Sequence, residues 1–270
     1  MSIIMLFDLY THPEGWLHRL DPRTKIAILL FGSVLFVVIN NVWLLAGLLV
    51  IVQLMLLSSH VPFHDIVRAW RQLLRLIVVV VLLWPFFART GDPALFSIGP
   101  LTATRTGILM GVTTAMRIVG TSFLFYLILF TTRQNDLVAG LRRLGLPFEW
   151  ALTLATALRF IPSFSATITQ IQAAQAARGW QVDRGDLIGR FRGMIPVLTA
   201  LIISILRTSD TLGMALAARG VGSGRPRTVW QDVKMQPLDW IVLVTIGFFF
   251  VSLLIARLRF GMGAELVDVF

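Results

Sequence analysis

The stretch GILMGVTTAMRIVGTSFLFYLILF, Gly107 to Phe130, runs for 24 residues with a single formal charge, Arg117. A helix of about 20 mostly apolar residues covers the hydrocarbon core of a bilayer, so this stretch reads as one complete membrane crossing. The whole chain has the same character. Of its 270 residues 56% are hydrophobic and only 14% charged, and the mean hydropathy is +0.80, beyond an ordinary soluble domain of this length. An all-α integral membrane protein follows. There is no cysteine, which excludes disulfides, thiolate metal sites and cysteine nucleophiles. Asp8, Glu14 and Asp21 precede the first apolar run in place of a basic leader, so the first membrane helix is expected to stay in the mature protein.

Four further spans flank the first one. Ile26 to Ile39 and Val42 to Leu57 form a tight pair around Asn40-Asn41, each short for a full crossing. Leu76 to Ala88 is broken near its end by Pro85, and Trp240 to Ala256 lies near the C-terminus. This makes about five transmembrane helices. Arg19, Arg23 and Lys25 before the first span, and Arg68, Arg71 and Arg75 before the third, mark cytoplasmic segments. Thr90 to Thr104 is then external. The region from Thr132 to Leu238 holds 13 of the 24 Lys and Arg but 6 of the 14 Asp and Glu, as expected of a cytoplasmic face. The C-terminus falls outside by this count, which Arg257 and Arg259 oppose.

Three divisions are expected: membrane helices over 1–131, a coupling region over 132–238, and a last membrane helix over 239–270. The middle region begins with a short helix, Asp136 to Leu144, ended by Gly145 and Pro147. Two long helices follow, about Pro147 to Arg178 and Asp186 to Arg219, interrupted at Pro162 and Pro196, where a proline bends or breaks the rod. Both close on one string, Ala176-Ala177-Arg178-Gly179 and Ala217-Ala218-Arg219-Gly220. Arginine sits well at the negative end of a helix and glycine supplies the left-handed residue after it. One such end is an ordinary stop, but two identical ends suggest a paired device presenting two arginines outward. Small residues recur every four positions at Ser165, Thr169, Ala173 and Ala177, and at Ser209, Gly213 and Ala217, which predicts a close crossing of the two helices. Leu201, Ile205, Leu212 and Leu216 give the second helix an apolar face to bury.

Other polar residues have plainer readings. Arg142 and Arg143 read as phosphate-facing or surface residues. His60 and His64 have the spacing of a helical metal pair, with Asp65 adjacent, but beside Pro62 at a membrane edge they read as interfacial. Arg117, a charge inside a span, is read as paired within the structure rather than touching substrate. Asp183 and Asp186, beside Arg184, read as part of a solvated link.

His18 to Lys25 (HRLDPRTK), Leu137 to Pro147, Leu158 to Pro162 (LRFIP) and both Ala-Arg-Gly ends resemble, in order along nearly the whole chain, the transmembrane coupling subunit (T component, EcfT) of energy-coupling factor transporters. The resemblance implies a prokaryotic plasma-membrane, multi-pass scaffold without catalytic residues. Ala177, Arg178 and Gly179, with Ala218, Arg219 and Gly220, would dock on two ABC-type ATPase subunits, identical or different. A separate membrane-embedded S component would carry a vitamin or transition-metal ion. No cofactor would bind directly to this chain, ATP and magnesium belonging to the ATPases, and no nucleic acid is implied. The sequence itself contains no Walker A string, so ATP hydrolysis must come from other chains. A membrane-embedded transferase would need clustered carboxylates for magnesium, and only Asp183 and Asp186 lie close together. A self-contained secondary transporter would show inverted membrane repeats, whereas the repeat here runs in one direction outside the spans.

Overall fold

The computed structural model describes residues 15–59, 61–87, 94–98, 101–179, 187–223 and 235–260. Among these, after a 3-10 turn at Trp16–Arg19, lie eight α-helices: α1 (Pro22–Val38), α2 (Val42–Ser58), α3 (Phe63–Phe87), α4 (Arg105–Thr131), α5 (Gln134–Arg143), α6 (Phe148–Ala177), α7 (Leu187–Ala218) and α8 (Pro237–Phe260). A short antiparallel hairpin, β1 (Ala94–Ile98) with β2 (Leu101–Thr104), pairs Ile98 with Leu101 and leads into α4. The described parts of the stretch from Thr90 to Thr104, 94–98 and 101–104, therefore have strand structure that helical patterning does not reveal.

Helix starts follow local chemistry. Asp21 caps α1 by accepting from Arg23 N at 2.9 Å, with Pro22 at the first helical position, where its missing N–H costs nothing. Asn41 caps α2, accepting from Trp43 N and Leu44 N, which explains the tight turn at Asn40-Asn41. Thr104 caps α4 through Gly107 N at 3.1 Å.

The chain forms two compact units. The larger takes in 8–147 and 233–270. Its centre is α4, the helix of the decisive stretch, packed against α1, α2 and α3, while α1 also meets α5 and α8. Glycines permit the closest approaches. A Cβ on Gly120 would lie 2.2 Å from the ring of the buried Phe36, and one on Gly32 would lie 2.7 Å from Leu124 Cδ1. Trp70, Phe123, Tyr126 and Phe130 form an aromatic series along α3 and α4, with Phe123 fully buried.

The smaller unit takes in 148–232 and contains α6 and α7, which pack against each other. The observed boundaries thus fall after Pro147 and Asp232. The short helix α5 falls within the larger unit, where Gly140 lets it close on Pro22 at the start of α1.

Three sequence expectations need correction. Helix α3 runs through Pro85 and is not broken there. Likewise α6 and α7 stay helical through Pro162 and Pro196, since a proline forfeits one backbone hydrogen bond without ending the helix on its far side. The small-residue stripe is also not the contact between the long helices. Of that stripe only Ser165 is half-buried; Thr169, Ala173, Ala177, Ser209, Gly213 and Ala217 are exposed, while the half-buried positions include Ile161, Phe164, Ile168 and Ile171 on α6 and the expected Leu201, Ile205, Leu212 and Leu216 on α7. Large apolar side chains remove more surface from water than small ones and take the inner face.

The protein is a multi-pass membrane protein. Among the described residues, four segments are long and apolar enough to cross a bilayer, Arg105–Thr131, Phe148–Ala177, Gly193–Ala218 and Pro237–Arg257, with Val42–Ser58 a shorter apolar helix. The two long helices of the smaller unit thus join the membrane candidates. Only 6% of each of their apolar windows is buried within the chain, so their apolar surface must meet lipid or another protein.

Candidate functional site

Both Ala-Arg-Gly ends are built alike, by backbone geometry. Helix α7 stops at Ala218, Gly220 takes φ +75°, Gly220 N donates to Ala217 O at 2.9 Å and Val221 N donates to Leu216 O at 3.0 Å. This is a complete Schellman motif with Arg219 as the last half-helical residue. Helix α6 stops at Ala177, Gly179 takes φ +84° and its N–H donates to Ala176 O at 3.0 Å, which places Arg178 in the corresponding position. The same closure ends α5, where Gly145 has φ +111° and Leu146 N donates to Leu141 O.

What separates the paired ends from plain caps is their surface. Arg178 and Arg219 are exposed, and neither guanidinium is ion-paired among the described residues. Ala177, Gly179 and Ala218 are exposed too, so each arginine stands on a low, smooth platform, and an added Cβ at Gly179 would meet nothing. Such an end offers a planar fork of donors to carboxylates or backbone carbonyls on another surface. It provides no nucleophile or general base.

The remaining candidates separate. Arg117 is paired, as expected: its Nη2 donates to Ile39 O at 3.0 Å and to Asn40 Oδ1. His64 lies exposed beside Asp65 at 2.9 Å, and Asp65 also pairs with Arg68 at 3.6 Å, a surface network. No group of three metal-ligating side chains occurs among the described residues. His60, Asp183, Arg184 and Asp186 lie outside the described residues.

A second polar centre escapes sequence reading. Lys25, buried at the start of α1, donates from Nζ to Thr131 O at the end of α4, 2.8 Å away. The buried Asp239, opening α8, accepts from Asp21 N at 2.8 Å, Thr24 Oγ1 at 3.2 Å and Gln236 N at 2.8 Å. Burial lowers the Lys25 ammonium to about 8, against the opposing pull of Asp136, Asp239 and Asp21. Beside it is a cavity of about 260 Å³ lined by His18, Arg19, Lys25, Thr132, Asp136 and Gln236 among others. The motif from His18 to Lys25 thus ties the starts of α1 and α8 and the end of α4 together on one face. Asp239 is more than 200 residues from Asp21 and Thr24, beyond the reach of any local pattern.

The chain matches the CbiQ family, described as cobalt transport protein, over residues 13–230. It is similar to proteins named energy-coupling factor transporter transmembrane protein EcfT. The relative from Listeria innocua is 32% identical over 253 residues, covering 90% of this chain and 94% of the relative. That from Heliobacterium modesticaldum is 33% identical, covering 90% and 93%. A third, from Acidaminococcus fermentans, is 32% identical over 273 residues, covering 96% of this chain and all of the relative.

Proposed function

The chain belongs to the CbiQ family of cobalt transport proteins, and we propose that it works as the transmembrane coupling subunit of an energy-coupling factor importer. The observation that carries this reading is the pair of exposed, unpaired arginines, Arg178 and Arg219, each set at a helix end by a positive-φ glycine. In this reading the two ends dock on two ATP-binding-cassette subunits, whose ATP-driven closure moves α6 and α7. The exposed apolar and small-residue faces of those helices are available to an S component that binds the vitamin or metal ion. Pro162 and Pro196, each short of one backbone hydrogen bond, are the points at which the two helices bend under that load.

Orientation in this proposal follows the basic residues. Arg19, Arg23 and Lys25 mark the cytoplasmic face. The contacts of Lys25 with Thr131 and of Asp21 and Thr24 with Asp239 hold the end of α4 and the start of α8 beside these residues, which supports a last helix that starts at the cytoplasmic face and ends outside. ATP and magnesium stay with the partner subunits, and this chain carries no catalytic step.

The test is substrate uptake by vesicles containing the complete transporter. Arg178→Glu with Arg219→Glu replaces charge-assisted bonding by repulsion and abolishes uptake at normal membrane abundance. Full uptake by the inserted double variant would contradict the reading.

A further inference from the structure

The cavity beside Lys25 lies wholly within the larger unit, and its volume of about 260 Å³ is far above the roughly 10–15 Å³ that holds one water. Its wall carries charges of both signs, Arg19 and Lys25 against Asp21 and Asp136, together with Thr132 and Gln236. Arg19, Asp136 and Gln236 are exposed, so the cavity opens to the surface between them, while Asp21, Lys25 and Thr132 are buried behind.

The buried groups are short of partners. Asp21 Oδ1 caps α1 and lies 3.8 Å from Arg23 Nε, but Asp21 Oδ2 is buried with no hydrogen bond. Thr132 Oγ1 is in the same condition. Lys25 Nζ makes one hydrogen bond, to the neutral Thr131 O, and keeps N–H groups to spare. Arg19 has no ion-pair partner among the described residues. Buried polar groups left unpaired are costly, and a polar occupant removes that cost.

Position and charge narrow the occupant. Helix α4 has 27 residues, about 40 Å at 1.5 Å per residue, the thickness of a bilayer with its headgroups. Its end at Thr131, with the cavity beside it, therefore lies at headgroup level. A simple anion there would meet Asp21 and Asp136, and a simple cation would meet Arg19 and Lys25. A zwitterion suits both pairs.

We propose that this cavity binds a phosphoethanolamine group, with Arg19 and Lys25 on its phosphate side and Asp21 and Asp136 on its ammonium side. Phosphatidylethanolamine of the bilayer and free phosphoethanolamine carry the same chemistry. Binding ties the starts of α1 and α8 to the end of α4, and it is independent of the Arg-Gly helix ends.

The experiment follows thermal unfolding of the full-length protein in neutral detergent, titrated separately with dihexanoyl phosphatidylethanolamine, phosphoethanolamine, dihexanoyl phosphatidylcholine and dihexanoyl phosphatidylglycerol. At least one of the two ethanolamine compounds raises the unfolding temperature of the wild type saturably. Response to the lipid alone identifies the bilayer as the source, and an equal response to phosphoethanolamine identifies the free compound. Phosphatidylcholine has no N–H to donate and phosphatidylglycerol no ammonium, so each binds roughly tenfold more weakly or worse. Arg19→Gln and Asp136→Asn remove no side-chain hydrogen bond seen among the described residues, and each weakens the affinity for the ethanolamine compound about fivefold. Asp136→Asn also narrows the preference over phosphatidylglycerol, which a purely structural role would not do. No stabilisation by either ethanolamine compound, an equal response to phosphatidylcholine or phosphatidylglycerol, or an unchanged affinity in either variant would overturn the proposal.

Discussion

Replacing Gly220 with alanine adds one methyl group to the end of α7, and the geometry there sets its cost. Gly220 holds φ +75°, and the nearest atom to an added Cβ is Ser223 Oγ at 3.6 Å, ordinary contact. The methyl therefore meets no neighbour, and the penalty is that of a left-handed L-residue, about 1–2 kcal/mol. The helix end relieves this by fraying, which releases the Gly220 N–H from Ala217 O and the Val221 N–H from Leu216 O. A loss of 1–2 kcal/mol of local stability corresponds to roughly 5- to 30-fold more opening. Hydrogen exchange of the purified protein should accelerate by that factor over 216–221 and stay unchanged in α4. The same acceleration is expected around 176–179 in Gly179→Ala, where φ is +84°. Gly47→Ala provides the contrast. It lies inside α2 with open space around its Cβ position and no positive φ, so alanine there stabilises by about 0.5–1 kcal/mol. Unchanged exchange at 216–221 in Gly220→Ala would refute the capping argument and the idea that glycine geometry sets the direction of Arg219.

Gly120→Ala drives a Cβ into the Phe36 ring and should cost about 1–3 kcal/mol, read as a lower unfolding temperature that Phe36→Leu partly restores. Lys25, just before the apolar run of α1, titrates near 8 in the folded protein against an ordinary 10.5. Below pH 8 both folded and unfolded chains hold the proton and the burial cost is complete. Between 8 and 10.5 the unfolded chain binds more protons, so stability rises with pH. Wild type should therefore gain on Lys25→Met by up to about 3 kcal/mol from pH 7 to pH 10; parallel stability curves would count against this. Arg178→Glu or Arg219→Glu alone should reduce uptake less than the double change, because the other end still tethers the complex. Arg142→Ala should reduce it less than either.

The helices were legible wherever a local signal marked them. Asn40-Asn41 separates α1 from α2, Gly145 ends α5, and the repeated Arg-Gly strings end α6 and α7 within a residue or two of their expected limits, whereas α1 starts at Pro22, before the expected Ile26. The expected break at Pro85 is absent, and α6 and α7 also run on through Pro162 and Pro196, because a missing N–H weakens a helix locally while the flanking turns keep it continuous. Spacing alone also misassigned the stripes on α6 and α7. A four-residue period of small side chains fits an exposed platform as well as a helix contact, and the leucine and isoleucine face decided which side turned inward. The hairpin before α4 left no helical signature. The paired Arg-Gly helix ends were readable because duplication is visible in one dimension, whereas the contact of Asp21 and Thr24 with Asp239 exists only after folding.

Affinity purification of the tagged, full-length protein from its native host in mild detergent, with mass spectrometry of the co-eluting chains, tests the coupling role most directly. Two ABC-type ATPase chains, or two copies of one, should elute with a small hydrophobic membrane protein, and the ATPases should be lost from Arg178→Glu with Arg219→Glu. A chain that elutes alone across several detergents, or a double variant that keeps its ATPases, would contradict the docking role of the two arginines.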